Sequence, residues 1–119
     1  MPLSTNAKNS MLNHLGGEAL FASLHDGAPG DNGANEISGG SPAYARKGMV
    51  WDPATDGAIN SSNQPVFDIP PGTTIAHVGF WTALSGGVWK GSAPLVNESW
   101  INQGTYKLED MDLDLNLSA

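Results

Sequence analysis

Glycine and proline divide this chain into short segments, and the spacing of those segments is its strongest structural constraint. The 119 residues include 15 Gly and 8 Pro, while only 14% are charged. Gly and Pro mark turns, and short segments between turns at intervals of about ten residues are typical of antiparallel β proteins. The sequence therefore predicts an all-β fold, an antiparallel β-sandwich or barrel (jelly-roll-like) of about seven to eight short strands with one short N-terminal helix. We predict a helical arm at residues 1–17 and a single β-sandwich domain at 18–119.

The N-terminal arm contains the segment with the clearest helical periodicity, residues 4–15. Ser4 or Thr5 can cap its first turn, and the glycine pair at 16–17 is expected to end it. A helix this short is marginally stable alone, so its apolar stripe must dock on the β domain or on a neighbouring chain. The stripe residues that we predict at a protein interface are Met11, Leu12 and Leu15.

A long segment without periodicity, residues 26–41, follows the first predicted strand. Asp26, Asp31 and Glu36 supply carboxylates that would suit calcium, but their spacing differs from that of an EF-hand loop. Asp, Asn and Gly also favour tight turns, because they tolerate left-handed backbone. We therefore predict that this loop contacts another chain or wraps the module's own surface and does not bind calcium.

Residues 73–83 are predicted to form a strand that is apolar on both faces. Such a strand lies at the centre of a sandwich or is covered by a partner. The segment 93–104, by contrast, shows no clear alternation and is expected to be irregular. The two faces of 73–83 carry Ala76, Val78 and Phe80 on one side and Ile75 and Trp81 on the other.

The last predicted strand has an acidic face and an apolar face. Aspartates alternate with apolar residues over 110–117, as in a strand with one solvated and one buried side. Carboxylates about 7 Å apart along one strand face cannot chelate a cation without further ligands. The inward parity changes before this segment, which predicts a bend at Glu109–Asp110. The solvated residues are expected to be Asp112 and Asp114, and the buried ones Leu113, Leu115 and Leu117.

Composition and motifs exclude several classes of function. A net charge of −7 argues against nucleic acid as a partner, and no apolar run approaches the roughly 20 residues that a membrane helix needs. The chain has no Cys, and its N-terminus lacks the features of a signal peptide. Common catalytic motifs are missing, and His14, His25 and His77 are isolated. We predict a non-enzymatic protein with no catalytic residue, no cofactor and no metal.

Four tryptophans are many for a chain of 119 residues. A Trp side chain either packs in the core or forms an exposed platform that anchors an interface or stacks on a sugar. Trp81, in the two-faced strand, is expected to lie partly in the core. Trp89 lies beside a predicted turn and Trp100 in the irregular segment, so these two are the better candidates for contact with protein or glycan. All three join the candidate interface residues.

Nearly the whole chain resembles one known group of proteins. The resemblance rests on three blocks in a fixed order, "LSTNAKNSMLNHL", "SLHDGAPGDNGANEISGGSPAYAR" and "FDIPPGTTIAHVGFWTALSGG". In these blocks the sequence is similar to a family of small structural proteins of tailed, actinobacterial-type bacteriophages, often labelled tail-fibre-like. The resemblance implies a virion component that is assembled in the host cytoplasm.

The chain has no heptads, collagen repeat or repeated β unit from which a fibre shaft could be built. We therefore expect a compact module that decorates the capsid or virion surface and stabilises it through protein–protein contacts. The alternatives are a tail-fibre or tail-tip module and a carbohydrate-binding module for host cell-wall glycans. The expected partners are further copies of the chain in a homo-oligomer, taken to be a trimer, and the major capsid protein or tail proteins. No nucleic acid or membrane is expected among them.

Overall fold

The structure, a computed structural model, describes residues 3–109 and 114–116. Within these residues one helix precedes a series of short strands that pair antiparallel. The predicted all-β fold with one short helix is therefore confirmed. The elements are α1 (Thr5–Glu18), β1 (Phe21–His25), β2 (Lys47–Gly48), β3 (Ala58–Asn60), β4 (Val66–Ile69), β5 (Thr73–Trp81), β6 (Trp89–Trp100), β7 (Gly104–Lys107) and β8 (Asp114–Asn116).

The strands form a four-stranded sheet in the order β2-β1-β5-β6 and two pairs, β3-β8 and β4-β7. Side chains from β4 and from β7 and its C-terminal end pack on one face of the four-stranded sheet, so the core lies between two antiparallel layers, as in a sandwich. Burying each large apolar side chain there contributes about 1.5–3 kcal/mol. The sheet supplies Ala22, Leu24, Val78 and Phe80 to this core, and the opposite layer supplies Phe67, Ile69, Tyr106 and Leu108.

A bulge in the pairing of β5 with β6 explains why β5 has apolar residues at both parities. Ile75 pairs with Glu98, whereas His77 pairs with Pro94, so one residue of β5 lies opposite three residues of β6. The bulge reverses the inward parity of β5, and Ile75 lies in the same core as Val78. The sequence predicts that β5 is apolar on both faces, but most of its aliphatic residues point into the same core.

The prediction of an irregular segment at 93–104 is wrong, because β6 extends through most of it. Pro94 and the bulge after it interrupt the alternation that would reveal a strand. Proline is tolerated here because β6 lies at the edge of its sheet. Val96, within the bulge, is 84% exposed.

The helix α1 docks on its own chain and runs past the glycine pair to Glu18. The Ser4 hydroxyl oxygen accepts a hydrogen bond from the Ala7 N–H at 3.1 Å, so Ser4 is the N-cap. The helix continues through Gly16, which lies against β3. A Cβ atom on Gly16 would be 2.9 Å from Cδ1 of Ile59. Gly16 therefore permits close packing of helix and strand and does not end the helix. In the described part of the chain no helix has the length and apolar character needed to cross a bilayer.

The acidic closing segment falls mostly outside the described residues. β7 ends at Lys107, and β8 begins at Asp114 and pairs with β3, in a different sheet. The bend at Glu109–Asp110 and the alternation of burial over 110–117 lie wholly or partly outside the described residues and stay predictions.

Candidate functional site

The first part of the 26–41 loop folds back over the outer face of the four-stranded sheet, which is the face opposite the core, and Ile37 then enters the core. Two backbone hydrogen bonds fix this first part, from the Asp26 N–H to the Asn35 carbonyl and from the Ile37 N–H to the Leu24 carbonyl, both at 3.1 Å. The loop therefore wraps the module's own surface, one of the two arrangements that the sequence predicts. Across the residues with a described position, no group of three or more His, Asp or Glu side chains is placed to hold a metal ion.

Beneath the loop, Ser23 and His25 occupy alternate positions of β1, and neither side chain is accessible to solvent. The Nε2 atom of His25 is 2.7 Å from the Ser23 hydroxyl oxygen, and its Nδ1 atom is 2.7 Å from the Ala34 carbonyl oxygen. The indole N–H of Trp81 donates to the same Ser23 oxygen at 2.8 Å. A continuous chain of hydrogen bonds thus connects β5, β1 and the loop.

Two tryptophans pack edge-to-face in this layer, with ring centroids 5.0 Å apart for Trp81 and Trp89 and 5.4 Å apart for Trp89 and His25. Glycines make room for them. At Gly79 on β5 a Cβ atom would lie 2.5 Å from Cη2 of Trp89, and at Gly33 in the loop it would lie 2.5 Å from Cζ2 of Trp81. The indoles are therefore held between a glycine of the sheet and a glycine of the loop, which also has the positive φ of 74° that glycine favours.

Arg46 joins the 26–41 loop to the hairpin loop at 82–88. Its Nε and Nη2 atoms each donate to a carboxylate oxygen of Glu36 at 3.0 Å, the two-pronged geometry that makes such pairs strong. Its Nη1 atom donates to the carbonyls of Ala83 at 3.0 Å and Gly86 at 2.9 Å. The guanidinium also lies 3.8 Å from the ring centroid of Trp81, within cation–π range. One side chain therefore fixes two loops and covers one indole.

Tyr44 completes the coordination of the Glu36 carboxylate. The Tyr44 hydroxyl donates to Oε2 of Glu36 at 2.8 Å and accepts from the Leu24 N–H at 2.9 Å. Burial raises the pKa of Tyr44, so the phenol stays protonated and keeps this donor. Glu36 is thus held by a cation and a hydroxyl, as a partly buried carboxylate requires.

The three tryptophans that the sequence predicts at an interface lie in two parts of the module. Trp81 and Trp89 come together in the layer under the loop, and both are half-buried. Trp100 lies at the opposite end of β6, where its ring packs edge-on against Tyr106 at 6.0 Å and covers Gly104. The indoles thus fill space within this chain, and their role at a protein interface stays a prediction.

The predicted stripe on α1 divides between the inside and the outside of the module. Leu12 is 2% exposed, and Leu15 is half-buried against the core. Met11 is 51% exposed, so it is the stripe residue best placed to contact another chain. The interface role of the stripe is likewise still a prediction.

Sequence reasoning missed the residues that organise this layer. Arg46 belongs to a basic cluster that is too small for phosphate binding, and nothing local indicates that it pairs with Glu36 ten residues earlier. The detectable signal was polar alternation within β1, because Ser23 and His25 interrupt an apolar segment on one face only. A second signal was Gly79 inside a predicted strand, which marks close approach of another group.

A second feature is an apolar surface at one end of the four-stranded sheet. The register places the start of β1, the end of β2, the end of β5 and the start of β6 side by side. One apolar residue within three positions of each of these strand ends is exposed by 42–59%, and these four residues define the sheet-end surface. A groove of about 500 Å³ adjoins it beside the C-terminal end of α1. The surface consists of Leu20, Val50, Leu84 and Val88.

Comparison with known proteins identifies the family of this chain. The family described as podophage GP4 fiber I protein gp80 matches residues 2–115. No curated protein matches the chain. The match confirms the resemblance to phage fibre-like structural proteins, but it does not extend to the actinobacterial phages. Because residues 2–115 are nearly the whole chain, the protein belongs to the podophage GP4 fiber I protein gp80 family and is a phage structural protein of the virion.

Proposed function

We propose that the protein is a tail-fibre module of the virion rather than a capsid decoration protein. The observation that carries this proposal is the match of residues 2–115 to a family described as a fibre protein. The sequence alone favours capsid decoration, but the fibre alternative fits the family description better. The expected partners are further copies of the chain and other tail proteins, and the role is structural and not enzymatic.

The geometry of the tryptophans supports a structural role over recognition of host glycans. A sugar-binding platform needs an indole face open to solvent. The Trp81 ring is covered by Arg46 and approached by Gly33, and Trp89 packs against Gly79. With the 26–41 loop packed over them, these rings stabilise the module itself. Glycan binding is therefore the weaker candidate function.

Labelling of intact virions tests the proposed location. Fab fragments raised against the purified protein and coupled to gold are expected to label the tail region of the particle in electron micrographs. Fab fragments against the major capsid protein serve as the control, because they should label the head on the same grids. Gold distributed over the head, or absence of the protein from purified particles by mass spectrometry, would contradict the tail-fibre proposal.

We also propose that the module forms a homo-oligomer, a trimer, through its exposed apolar surfaces. The sheet-end surface consists of exposed apolar residues that flank the ends of four adjacent strands, exposed apolar patches are typical of contact sites, and Met11 is a further exposed apolar residue. A single exposed apolar residue is common on protein surfaces and does not by itself indicate an interface.

Sedimentation velocity tests this assembly. The wild-type protein is expected to sediment as a trimer, and Leu84→Asp should weaken self-association by at least about tenfold, because it buries a charge in an apolar contact. Val96→Asp is the control, since Val96 is also an aliphatic residue and is 84% exposed outside the sheet-end surface. A wild-type monomer at all concentrations that also fails to join the particle would exclude the proposal.

A further inference from the structure

The hydrogen bonds of the layer under the loop can run in only one direction. The Ala34 carbonyl can only accept, so Nδ1 of His25 carries a proton. Nε2 of a neutral imidazole is then an acceptor, and the Ser23 hydroxyl must donate to it. The Ser23 oxygen in turn accepts from the indole N–H of Trp81. The order of donation is therefore Trp81 to Ser23 to His25 to the loop carbonyl, and it requires neutral His25.

A second proton on His25 is incompatible with this order. Nε2 would become a donor, and the Ser23 hydroxyl proton would lose its acceptor. Ser23 and His25 are both 0% exposed, so water cannot replace the lost bond without movement of the protein. A buried cation without a compensating charge is strongly unfavourable.

The charged and titratable groups around His25 do not supply that compensation. His77 is its register partner on β5, and among the described residues its buried Nδ1 atom has no hydrogen-bond partner. Arg46 carries a positive charge on the loop side of His25, and this charge disfavours a cation on His25. Glu36 favours a cation, but its carboxylate already binds Arg46 and Tyr44. Burial is the main cause that lowers the pKa of His25, against the opposing effects of the Ala34 carbonyl and Glu36.

The loop is the part that can move when this bond network fails. β1 lies between β2 and β5, and its other face is buried in the core. The loop segment 26–35, in contrast, meets the sheet through the Ala34 carbonyl, through Gly33 over the indoles and through the hydrogen bond from the Asp26 N–H to the Asn35 carbonyl. Glu36, which follows it, is held by Arg46 and Tyr44. We propose that residues 26–35 form an acid-released cover, which leaves the sheet when His25 is protonated and exposes Trp81 and Trp89, while Glu36 stays bound to Arg46.

The direction of the pH dependence follows from the neutral state of His25 in the closed loop. The pKa of His25 is lowered in the folded protein, so the closed loop is fully stable above the unfolded histidine pKa of about 6.5. That stability is lost as the pH falls from this value through the lower folded pKa. Because one proton is bound on opening, the equilibrium constant for loop opening rises by up to about tenfold for each unit that the pH falls in this window.

Hydrogen exchange of the full-length protein tests the proposal. The hydrogen-bonded amides of the cover, such as Asp26 and Ala34, should lose protection by up to about tenfold for each unit that the pH falls between about pH 6.5 and pH 5, above the ordinary carboxyl range. Tryptophan fluorescence should shift to the red over the same window. In His25→Gln, which can still donate and accept but does not titrate, both changes should disappear. His14→Gln is the control, because His14 is exposed on α1, and it should keep both changes.

Two results would overturn the proposal. One is unchanged protection of the loop amides in the wild-type protein over this pH window, and the other is an unchanged pH dependence in His25→Gln. Nitrogen-15 correlation spectra of wild-type protein provide a test that needs no variant. They should show His25 as the neutral tautomer protonated at Nδ1 near neutral pH. An Nε2-protonated or fully protonated ring there would contradict the directed chain and the proposal with it.

Discussion

Replacing Arg46 with methionine is expected to lower the free energy of unfolding by about 3 kcal/mol, the lower end of the loss typical when one partner of a buried ion pair is removed, because this pair is only partly buried. Its side chain is only 9% exposed, and that of Glu36 is 23% exposed. The substitution leaves the Glu36 carboxylate without its cation and removes the donor to the carbonyls of Ala83 and Gly86. It also removes the guanidinium from the Trp81 ring, while methionine keeps most of the apolar stem. Denaturant titration measures the loss.

A second ion pair provides the control for this prediction. Lys90 lies 3.2 Å from Glu18, and the two side chains are 23% and 39% exposed. Lys90→Met should cost less than about 1 kcal/mol, as is usual for pairs near the surface. If Arg46→Met costs no more than Lys90→Met, Arg46 does not hold the two loops together as described.

Gly79→Ala is expected to lower the free energy of unfolding by about 3 kcal/mol, at the upper end of the cost of overpacking a core. The added Cβ atom would lie 2.5 Å from Cη2 of Trp89 and 2.7 Å from Nε2 of His25. The Trp89 ring would have to move, and it packs against Trp81, so the strain extends beyond one side chain. Thermal and denaturant unfolding with near-ultraviolet circular dichroism would report both the stability and the ring environment.

Gly17→Ala is the matched control for Gly79→Ala. Gly17 lies in α1, and a Cβ atom there would have no heavy atom within 4 Å. The same chemical change should therefore raise the free energy of unfolding by about 0.5–1 kcal/mol, because alanine has the higher helix propensity. Equal tolerance of both substitutions would mean that the Trp89 ring is free to leave its position over Gly79.

The fold class was predictable because it depends on local signals. Gly and Pro mark the turns, alternation marks the strands, and Ser4 caps the helix that its position predicts. The same local reasoning failed at β6, since Pro94 and a bulge hide the alternation of a strand that its pairing with β5 stabilises. It also failed at the glycine pair of α1, because Gly16 is required by a contact with Ile59, distant in sequence.

The layer under the loop could not be predicted because its contacts join segments far apart in the chain. Arg46 binds carbonyls roughly 40 residues later, and Trp81 donates to Ser23 across most of the sheet-forming sequence. The number of Trp residues is evident from the sequence, but whether an indole is covered depends on how the loop packs over it, which the sequence pattern does not encode. Glu36, one of the three acidic residues that could suit calcium, shows the same limit. Its carboxylate binds Arg46 and Tyr44 in the folded chain, and the spacing of the acidic residues does not indicate this.

The most direct test of the tail-fibre assignment is a cryo-electron microscopy reconstruction of the intact virion with this chain traced. We expect density for the four-stranded sheet and its covering loop in the tail fibre or its attachment, with the sheet-end residues Leu84 and Val88 covered by a neighbouring chain. Density for the same fold on the capsid lattice, or a tail-located copy with Leu84 and Val88 open to solvent, would contradict the location or the assembly, respectively.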